Sequence, residues 1–434
     1  MVQHPKPFSH KRFTAAAAYA LIALATARCH RDALTEAGPL GQPSPADRLA
    51  AGADHTCGIA TNGTAYCWGA NGSGQLGDGT NATRISPVAV SGGLRFRSLS
   101  AGGDHTCGLT MDGTAYCWGA NGSGQLGDGT VTDRASPVPV QGGVALQALS
   151  AGHAHTCALT AGGAAYCWGA NGSGQLGDGT LLDRSTPVAV GGGSTFRTLS
   201  AGGSHTCGLT AAGAAFCWGW NYHGQLGDGT GSTRTTPVAV SGGLSFQALS
   251  AGADHVCALT TGAVAYCWGA NSSGQLGEGT KSAHLAPSPV SGGLSFAALD
   301  AGADHTCALT TNGVAYCWGA DGAGQLGDGA VSDRTGPAAV VGGVRFTALG
   351  AGFFHTCGLT AAGAAYCWGD DFFDQLGDSA STTQASPRAV VGLGSVSSLT
   401  AGFSHNCALT AGGAASCWGH DLYGQLGDSA GGTQ

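Results

Sequence analysis

A 50-residue period constrains the fold of this chain more than any other feature. The string Cys-Trp-Gly-Ala-Asn-Gly-Ser-Gly-Gln-Leu-Gly-Asp-Gly-Thr starts at Cys67 and recurs at Cys117 and Cys167. Eight copies align without a gap, starting at Ala51, Ala101, Ala151, Ala201, Ala251, Ala301, Ala351 and Ala401. A strict period of this length indicates one supersecondary unit that stacks on its neighbours. The fold can therefore be argued from one copy, and function is sought where the copies differ.

Each copy has the pattern of four short β-strands, here called a to d, joined by glycine-rich turns. In the first copy we expect strand a at 47–50, b at 55–60, c at 64–69 and d at 87–90. Such short runs of β-branched and aromatic residues between glycine turns are typical of strands. Four antiparallel strands repeated radially make a β-propeller blade.

The sequence thus predicts an all-β fold, a β-propeller of four-stranded antiparallel blades that occupies residues 47–434. We expect eight blades, the last without its own strand d, because the eighth copy stops after 34 residues. Seven blades plus an overhang is the alternative count. A flat solenoid of the same units is the alternative architecture.

The cysteines indicate disulfide bonds within the repeat. Sixteen of the 17 occur as two per copy, ten residues apart. The expected pairs are Cys57 with Cys67, Cys107 with Cys117, Cys157 with Cys167, Cys207 with Cys217, Cys257 with Cys267, Cys307 with Cys317, Cys357 with Cys367, and Cys407 with Cys417. A three-residue turn at 61–63 would place the first pair directly opposite each other on the b–c hairpin, within reach of a bridge. Reduced, buried thiols are the alternative, and no metal site is expected because each copy offers too few zinc ligands.

The first 29 residues have the pattern of an export signal. A basic region with Lys6, Lys11 and Arg12 precedes an uncharged stretch, 13–27, that is too short to span a bilayer. We therefore expect an exported protein that is periplasmic, anchored in an outer membrane or extracellular.

Cys29 is the one cysteine outside the repeat and resembles the lipidated cysteine of bacterial lipoproteins. Arg28 stands where that motif has a small residue, so cleavage after Ala27 without lipidation is the alternative. Residues 30–46 have the composition of a flexible linker. A membrane is expected to be contacted only through such a lipid.

Charge excludes one class of partner. The net charge is −8, and only three lysines occur in 434 residues. A nucleic-acid surface needs clustered basic residues that displace counterions, so we expect no nucleic-acid partner. No pattern for a cofactor is present.

Three recurring side chains have structural explanations. One histidine per copy, first His55, is spread around the ring and cannot converge on one ion, so we expect it to bond to backbone in the next turn. Arg84 and its counterparts follow an aspartate by six residues, which predicts an ion pair within the loop. Asp78 in its Gly-Asp-Gly-Thr segment predicts an Asx-type turn.

The copy that starts at Ala101 resembles the repeat of the regulator of chromosome condensation family. The elements that carry the resemblance are the His105-Thr106, Trp118-Gly119 and 124–127 Gly-Gln-Leu-Gly motifs, which recur from 47 to about 428. The resemblance implies a β-propeller, usually of seven blades. It extends to exported bacterial relatives, including a propeller-type β-lactamase inhibitor, that act through protein contacts. The founding activity, nucleotide exchange on a small GTPase, would need residues that we cannot assign here, and an export signal argues against it.

Variation between copies is concentrated on one face. Strand alternation places the turn before strand b and the c–d loop on the same side, here called the top face. Bulky and charged residues replace glycine, alanine and serine there in the fourth, seventh and eighth copies. These candidate partner-binding residues are Trp220, Tyr222, His223, Phe353, Phe354, Asp370, Asp371, Phe372, Phe373, Phe403 and Tyr423. Exposed aromatic patches mark partner sites, although packing against each other at a terminal blade would explain them as well.

The leading hypothesis is therefore an exported binding module, acting as a monomer, that recognises a protein or a cell-surface polymer. A polysaccharide lyase or hydrolase that uses Asp370, Asp371, His223 or His420 is the second hypothesis. No acid/base pair has a partner that spacing can place, so no catalytic residue is assigned and no enzyme is expected. A structural surface module without a ligand is the third.

Overall fold

The computed structural model describes residues 48–380, 382–410, 414–423 and 425–426. The predicted export signal 1–29, the linker 30–46 and the lipidation candidate Cys29 lie outside the described residues. Within the described ranges no helix is long and apolar enough to cross a membrane.

In the part of the chain that the structure describes, 31 strands form eight separate antiparallel sheets, and each sheet is one blade. Blades 1 to 4 contain β1 Leu49–Ala51, β2 His55–Ile59, β3 Ala65–Gly69, β4 Arg84–Ala89; β5 Phe96–Ala101, β6 His105–Thr110, β7 Ala115–Gly119, β8 Arg134–Pro139; β9 Leu146–Ala151, β10 His155–Thr160, β11 Ala165–Gly169, β12 Arg184–Ala189; β13 Thr198–Ala201, β14 His205–Leu209, β15 Ala215–Gly219, β16 Arg234–Ala239.

Blades 5 to 8 contain β17 Phe246–Ala251, β18 His255–Thr260, β19 Ala265–Gly269, β20 His284–Pro289; β21 Phe296–Ala301, β22 His305–Thr310, β23 Ala315–Gly319, β24 Arg334–Ala339; β25 Ala348–Ala351, β26 His355–Leu359, β27 Ala365–Gly369, β28 Gln384–Ala389; β29 Val396–Ala401, β30 His405–Thr410, β31 Ala415–Gly419. The order within each sheet is sequential, a-b-c-d, and the described part of blade 8 has three strands.

The blades close into a ring. The a strands of successive blades contact each other around the centre, including β29 with β1. They line a central cavity of about 980 Å³. Across the closing seam Leu49 and Trp68 of blade 1 pack with Cys407 of blade 8. The eight-blade prediction is confirmed, and the seven-blade count and the flat solenoid are wrong.

The predicted hairpin register is also confirmed. Cys57 lies opposite Cys67, and Ile59 opposite Ala65, as a three-residue turn at 61–63 requires. Strand d differs from the prediction, because β4 begins at Arg84 rather than at residue 87.

All eight predicted disulfides are present, and the alternative of reduced thiols is wrong. Each bridge joins strand b to strand c of one blade with a Cα–Cα distance of 4.1 Å. The bridges join Cys57 to Cys67, Cys107 to Cys117, Cys157 to Cys167, Cys207 to Cys217, Cys257 to Cys267, Cys307 to Cys317, Cys357 to Cys367, and Cys407 to Cys417.

The core lies between blades rather than within them. At the first interface Trp118 of blade 2 packs with Leu76 and the Cys57–Cys67 bridge of blade 1. A Cβ atom on Gly77 would come within 2.8 Å of the Trp118 ring, so the glycine of the Gly-Gln-Leu-Gly motif is required by the neighbouring blade. Since Trp118 packs both on Phe96 of its own blade and on residues of the preceding blade, a single blade cannot bury all of its own apolar surface.

The repeated histidines link neighbouring blades at every interface except the one between blades 4 and 5. His105 Nε2 lies 2.9 Å from the hydroxyl of Thr156 on the next blade, and that hydroxyl donates to the Gln125 carbonyl at 3.1 Å. Because the hydroxyl donates onward, it accepts from an Nε2–H group of the histidine. The structural role predicted for these histidines is confirmed. Their expected partner was wrong, because the ring bonds to a threonine side chain and not to backbone.

The same contact closes the ring, where His405 Nε2 lies 2.7 Å from the Thr56 hydroxyl. Asn406 replaces the threonine in blade 8 and accepts from His355 at 2.9 Å. Blade 5 has Val256 at this position, so both ring nitrogens of His205 are buried without a partner. The interface between blades 4 and 5 is therefore the one interface that lacks this hydrogen bond within the described residues.

Replacing Val256 with threonine should stabilise the protein. The new hydroxyl would accept from His205 and donate to the Gln225 carbonyl, as its counterparts do at other interfaces, which removes a buried unsatisfied donor worth about 1–3 kcal/mol. The matched control is Thr306→Val, which removes the same bond from His255. Thermal unfolding should show a higher melting temperature for Val256→Thr and a lower one for Thr306→Val. Equal melting temperatures for the two variants would refute a stabilising role of the bond.

Acid should destabilise the ring. Burial lowers the pKa of seven of these histidines from 6.5 to about 3 or 4: His55, His155, His205, His255, His305, His355 and His405. Between pH 6.5 and about 4 the unfolded chain binds protons that the folded chain excludes, so stability falls as pH falls. Each uncompensated proton contributes on the order of 1.4 kcal/mol per pH unit.

Buried carboxylates act in the opposite sense. Burial raises the pKa of Asp54, Asp321 and Asp371 to about 6, so that these groups add stability as pH falls towards 3.8. Burial also raises the pKa values of Asp104, Asp254, Asp304 and Asp370. We expect the histidines to dominate, because most of them shift further, and the melting temperature to drop from pH 7 to pH 5. A constant or rising melting temperature over that range would contradict this account.

Candidate binding surface

The c–d loops of the top face are held rigidly by buried polar side chains. Asn71 Oδ1 accepts from the Leu76 amide at 3.0 Å, and its amide group donates to Asp78 at 3.2 Å. The Thr80 amide donates to Asp78 at 2.9 Å, which confirms the predicted Asx-type turn. The predicted ion pairs are present as well, between Asp78, Asp128, Asp178, Asp228 and Asp328 and the arginines that follow each by six residues. These loops are preformed platforms whose outer positions can vary.

The turn before strand b and the c–d loop, which the sequence assigns to the top face, lie side by side. The amide of Ala70, at the start of a c–d loop, donates to the carbonyl of Asp54 in the turn before strand b at 2.8 Å. The same bond joins Asp370 to Phe354 in blade 7 and His420 to Ser404 in blade 8. The variable residues of both segments therefore share one surface, as the strand alternation predicted.

An inner group of aromatic residues lies in the turns before strand b. The ring centroid of Phe353 is 4.4 Å from that of Phe354 and 4.3 Å from that of Phe403 in the neighbouring blade. Phe353 is only 8% exposed. It packs across the blade 7–8 interface, so it contributes to the stability of that interface rather than to an open surface.

An outer group lies in the c–d loops of the same blades. Phe372 is 75% exposed and contacts Phe373 with ring centroids 4.8 Å apart. The ring centroid of Phe373 is 4.2 Å from that of His420. The ring centroid of His420 is 6.2 Å from that of Tyr423. We call Phe372, Phe373, His420, Leu422 and Tyr423 the blade 7–8 patch. It is a continuous, largely apolar surface that bridges two blades.

His420 is neutral in this setting. Burial lowers the pKa of its imidazole, and Nδ1 lies 2.7 Å from the Gln425 amide nitrogen. The patch therefore presents aromatic and aliphatic surface without a formal charge from its own side chains. Such a surface suits an apolar or aromatic partner surface.

The two predicted aspartates of blade 7 are loop-forming residues. Asp371 takes the place of Asn71, is buried, and accepts from the amides of Leu376 and Thr382 at 2.9 and 3.0 Å. Asp370 accepts from the Phe372 amide and from the Gln375 side chain. Both carboxylates are thus engaged in holding the loop that carries Phe372.

The structure does not bring the fourth-copy residues to this patch. Trp220 and Tyr222 stack with ring centroids 6.1 Å apart, and Tyr222 contacts His223 at 5.1 Å. These residues belong to blade 4, which lies across an eight-blade ring from blade 8. The top face thus carries two separate aromatic patches rather than one.

Leu422 and His420 complete the blade 7–8 patch, and sequence reasoning did not select them for binding. Leu422 is 70% exposed and occupies the same loop position as Phe372 one period earlier. The first three copies have glycine at this position, so the change to leucine in the eighth copy could have identified Leu422 from the sequence.

Comparison with known proteins agrees with the propeller architecture. The model of the RCC1-like domain matches residues 147–434. Two models of the regulator of chromosome condensation (RCC1) repeat also match. One matches residues 47–75 and 96–125, and the other matches residues 62–109 and 112–159. No similar sequence is found among curated proteins.

Two solved structures show the same fold. Human WBSCR16 is 21% identical with a TM-score of 0.67, and the match covers 80% of this chain and 98% of that protein. Prp20p from Saccharomyces cerevisiae is 21% identical with a TM-score of 0.65, and the match covers 81% of this chain and 90% of that protein.

The inner and outer aromatic residues should respond differently to mutation. Phe353→Ala should lower the free energy of unfolding by about 3 kcal/mol, because it leaves a cavity at a blade interface. Phe372→Ala should change it by no more than about 0.5 kcal/mol, because that ring is exposed. Denaturant unfolding of both variants measures the difference, and equal losses would show that the division into inner and outer groups is wrong.

Proposed function

Since the chain belongs to the family of propellers with the RCC1-like domain, we propose that it is an exported binding module that recognises a protein or a cell-surface polymer through the blade 7–8 patch. The observation that carries this proposal is the pair of side chains at one loop position, Phe372 and Leu422, which are 75% and 70% exposed on rigid loops. Exposed aromatic and aliphatic side chains that adjoin each other across two blades are costly in water unless a partner covers them.

Relatives support a protein as the partner. The structure of Prp20p was described together with its binding to Gsp1p and histones, and that of its complex with Kap60 was described separately. This chain shares the scaffold and varies its top-face loops, which is how a propeller changes its partner without changing its core.

The disulfides support export. Eight bridges are characteristic of proteins that fold in an oxidising compartment, because cytosolic thiols are kept reduced. The signal-like pattern of residues 1–29 agrees with this.

The double variant Phe372→Ser with Tyr423→Ser should lose its partner without a change in melting temperature, because both side chains are exposed. Affinity capture from the culture of the native host, with the full-length chain as bait, followed by identification of the retained molecules, measures this. Protein and polysaccharide are distinguished by protease and glycosidase treatment of the captured material.

The matched control is Tyr222→Ser, which changes the same loop position on blade 4 and should retain the partner. If capture survives in the double variant and fails in Tyr222→Ser, the blade 4 residues form the binding site instead. If all three proteins capture the same molecules equally, the proposal is wrong.

A further inference from the structure

The central cavity of the ring has an asymmetric lining. It extends from the b–c turns, on the side opposite the top face, here called the bottom face, to the upper part of strand a. Its volume of about 980 Å³ is large enough for a small ligand. Among the described residues its charged lining side chains are Arg97 of blade 2, Arg197 of blade 4 and Asp300 of blade 6. The cavity is therefore basic near blades 2 and 4 and acidic near blade 6.

The two arginines are held in the same way. Arg97 Nη2 donates to the carbonyls of Leu146 and Gln147 on the next blade at 3.1 and 2.9 Å. Arg197 Nη2 donates to the equivalent carbonyls of blade 5 at 3.1 and 2.7 Å. A carbonyl oxygen has no formal charge, so these bonds orient each guanidinium without neutralising it. In Arg197 they do not use the two Nη1–H donors, which can bind another acceptor.

The fold does not require an arginine at this position of strand a. The equivalent residues of blades 3, 5, 6, 7 and 8 are Gln147, Gln247, Ala297, Thr347 and Ser397. Five blades therefore pack in the same ring without a guanidinium here. Packing alone does not explain the two arginines, whereas the binding of an anionic group in the cavity does.

Asp300 occupies a position where blades 2 to 5 have serine. In blade 2 the Ser100 hydroxyl accepts from the Ala151 amide of the next blade at 3.0 Å. Asp300 Oδ2 makes the equivalent bond to the Ala351 amide at 2.9 Å. A serine thus suffices for this bond between blades, and Asp300 adds a buried carboxylate that is costly to hold in its charged form. A cationic group of a ligand beside it would offset that cost.

The basic and acidic groups lie at different depths in the cavity. Arg97 and Arg197 are at the bottom-face end of strand a, and Asp300 is three residues further along its own strand a. Three residues of a strand rise about 10 Å, and the separation of blade 6 from blades 2 and 4 adds to this. A single amino acid is too short to reach both groups. An extended peptide of four residues spans up to about 13–14 Å and has opposite charges at its two ends.

We propose that the central cavity binds a short peptide of about four small residues, with its C-terminal carboxylate at Arg97 and Arg197 and its N-terminal ammonium at Asp300. Guanidinium groups bind carboxylates through charge-assisted hydrogen bonds, and a carboxylate binds an ammonium group in the same way. Small side chains such as Ala148 and Ala298 line the wall between the charged groups, which leaves room for the peptide. This site is separate from the blade 7–8 patch, which lies on the top face.

The test is the titration of the full-length protein with tetra-alanine, followed by isothermal titration calorimetry. Two matched peptides each lack one charge: N-acetyl-tetra-alanine lacks the ammonium group, and tetra-alanine amide lacks the carboxylate. We expect saturable binding of one tetra-alanine molecule per chain, and at least tenfold weaker binding of each blocked peptide.

Variants that introduce residues of other blades locate the site. Arg97→Gln with Arg197→Gln, which introduces the residue of blades 3 and 5, should weaken binding at least tenfold and abolish the preference for the free carboxylate. Asp300→Ser, which introduces the residue of blades 2 to 5, should weaken binding at least tenfold and abolish the preference for the free ammonium group. Arg95→Gln changes an exposed bottom-face arginine outside the cavity lining and should bind as the wild type does.

No saturable binding of tetra-alanine would overturn the proposal. Equal affinity for tetra-alanine and for either blocked peptide would also overturn it, and this comparison needs no variant. Unchanged binding in the double arginine variant or in Asp300→Ser would show that the peptide lies elsewhere. Phe372→Ser with Tyr423→Ser should bind tetra-alanine normally, so that failure of this site and failure of the blade 7–8 patch are distinguishable.

Discussion

The contact between the tryptophan of one blade and the disulfide-linked hairpin of the preceding blade is the interaction on which the whole ring depends. Trp118 packs on Phe96 of its own blade and on Leu76 and the Cys57–Cys67 bridge of the preceding blade, and Gly77 has no side chain that would prevent the approach. Every blade thus contributes one side of the interface with the blade before it and one side of the interface with the blade after it. Each blade therefore depends on its neighbours for burial, and the contacts of Leu49 and Trp68 with Cys407 close the series.

The scaffold separates stability from recognition. Histidine and threonine side chains fasten the blades near the axis, and buried asparagine or aspartate side chains hold the c–d loops. The outer loop positions are exposed and do not hold the loops in place, and Phe372 and Leu422 occupy two of them.

What could be predicted from the sequence followed from local geometry. The ten-residue cysteine spacing and a three-residue turn determine the register of the hairpin, so the disulfides follow without knowledge of the ring. The hydrogen-bond partner of His105 could not be predicted, because it depends on which atoms of the next blade lie next to the imidazole. Phe353 and Phe372 looked alike in the sequence, yet one is buried across an interface and the other is exposed, since their turns lie at different radii.

The placement of each disulfide inside one hairpin has a consequence for biosynthesis. Sixteen cysteines in nearly identical surroundings could be joined in a very large number of wrong combinations. Here every native partner is ten residues away on the adjacent strand, and formation of a β-hairpin is among the fastest events in folding. Correct pairing is therefore available to each copy as soon as its own hairpin can form, and oxidation becomes a series of independent local reactions.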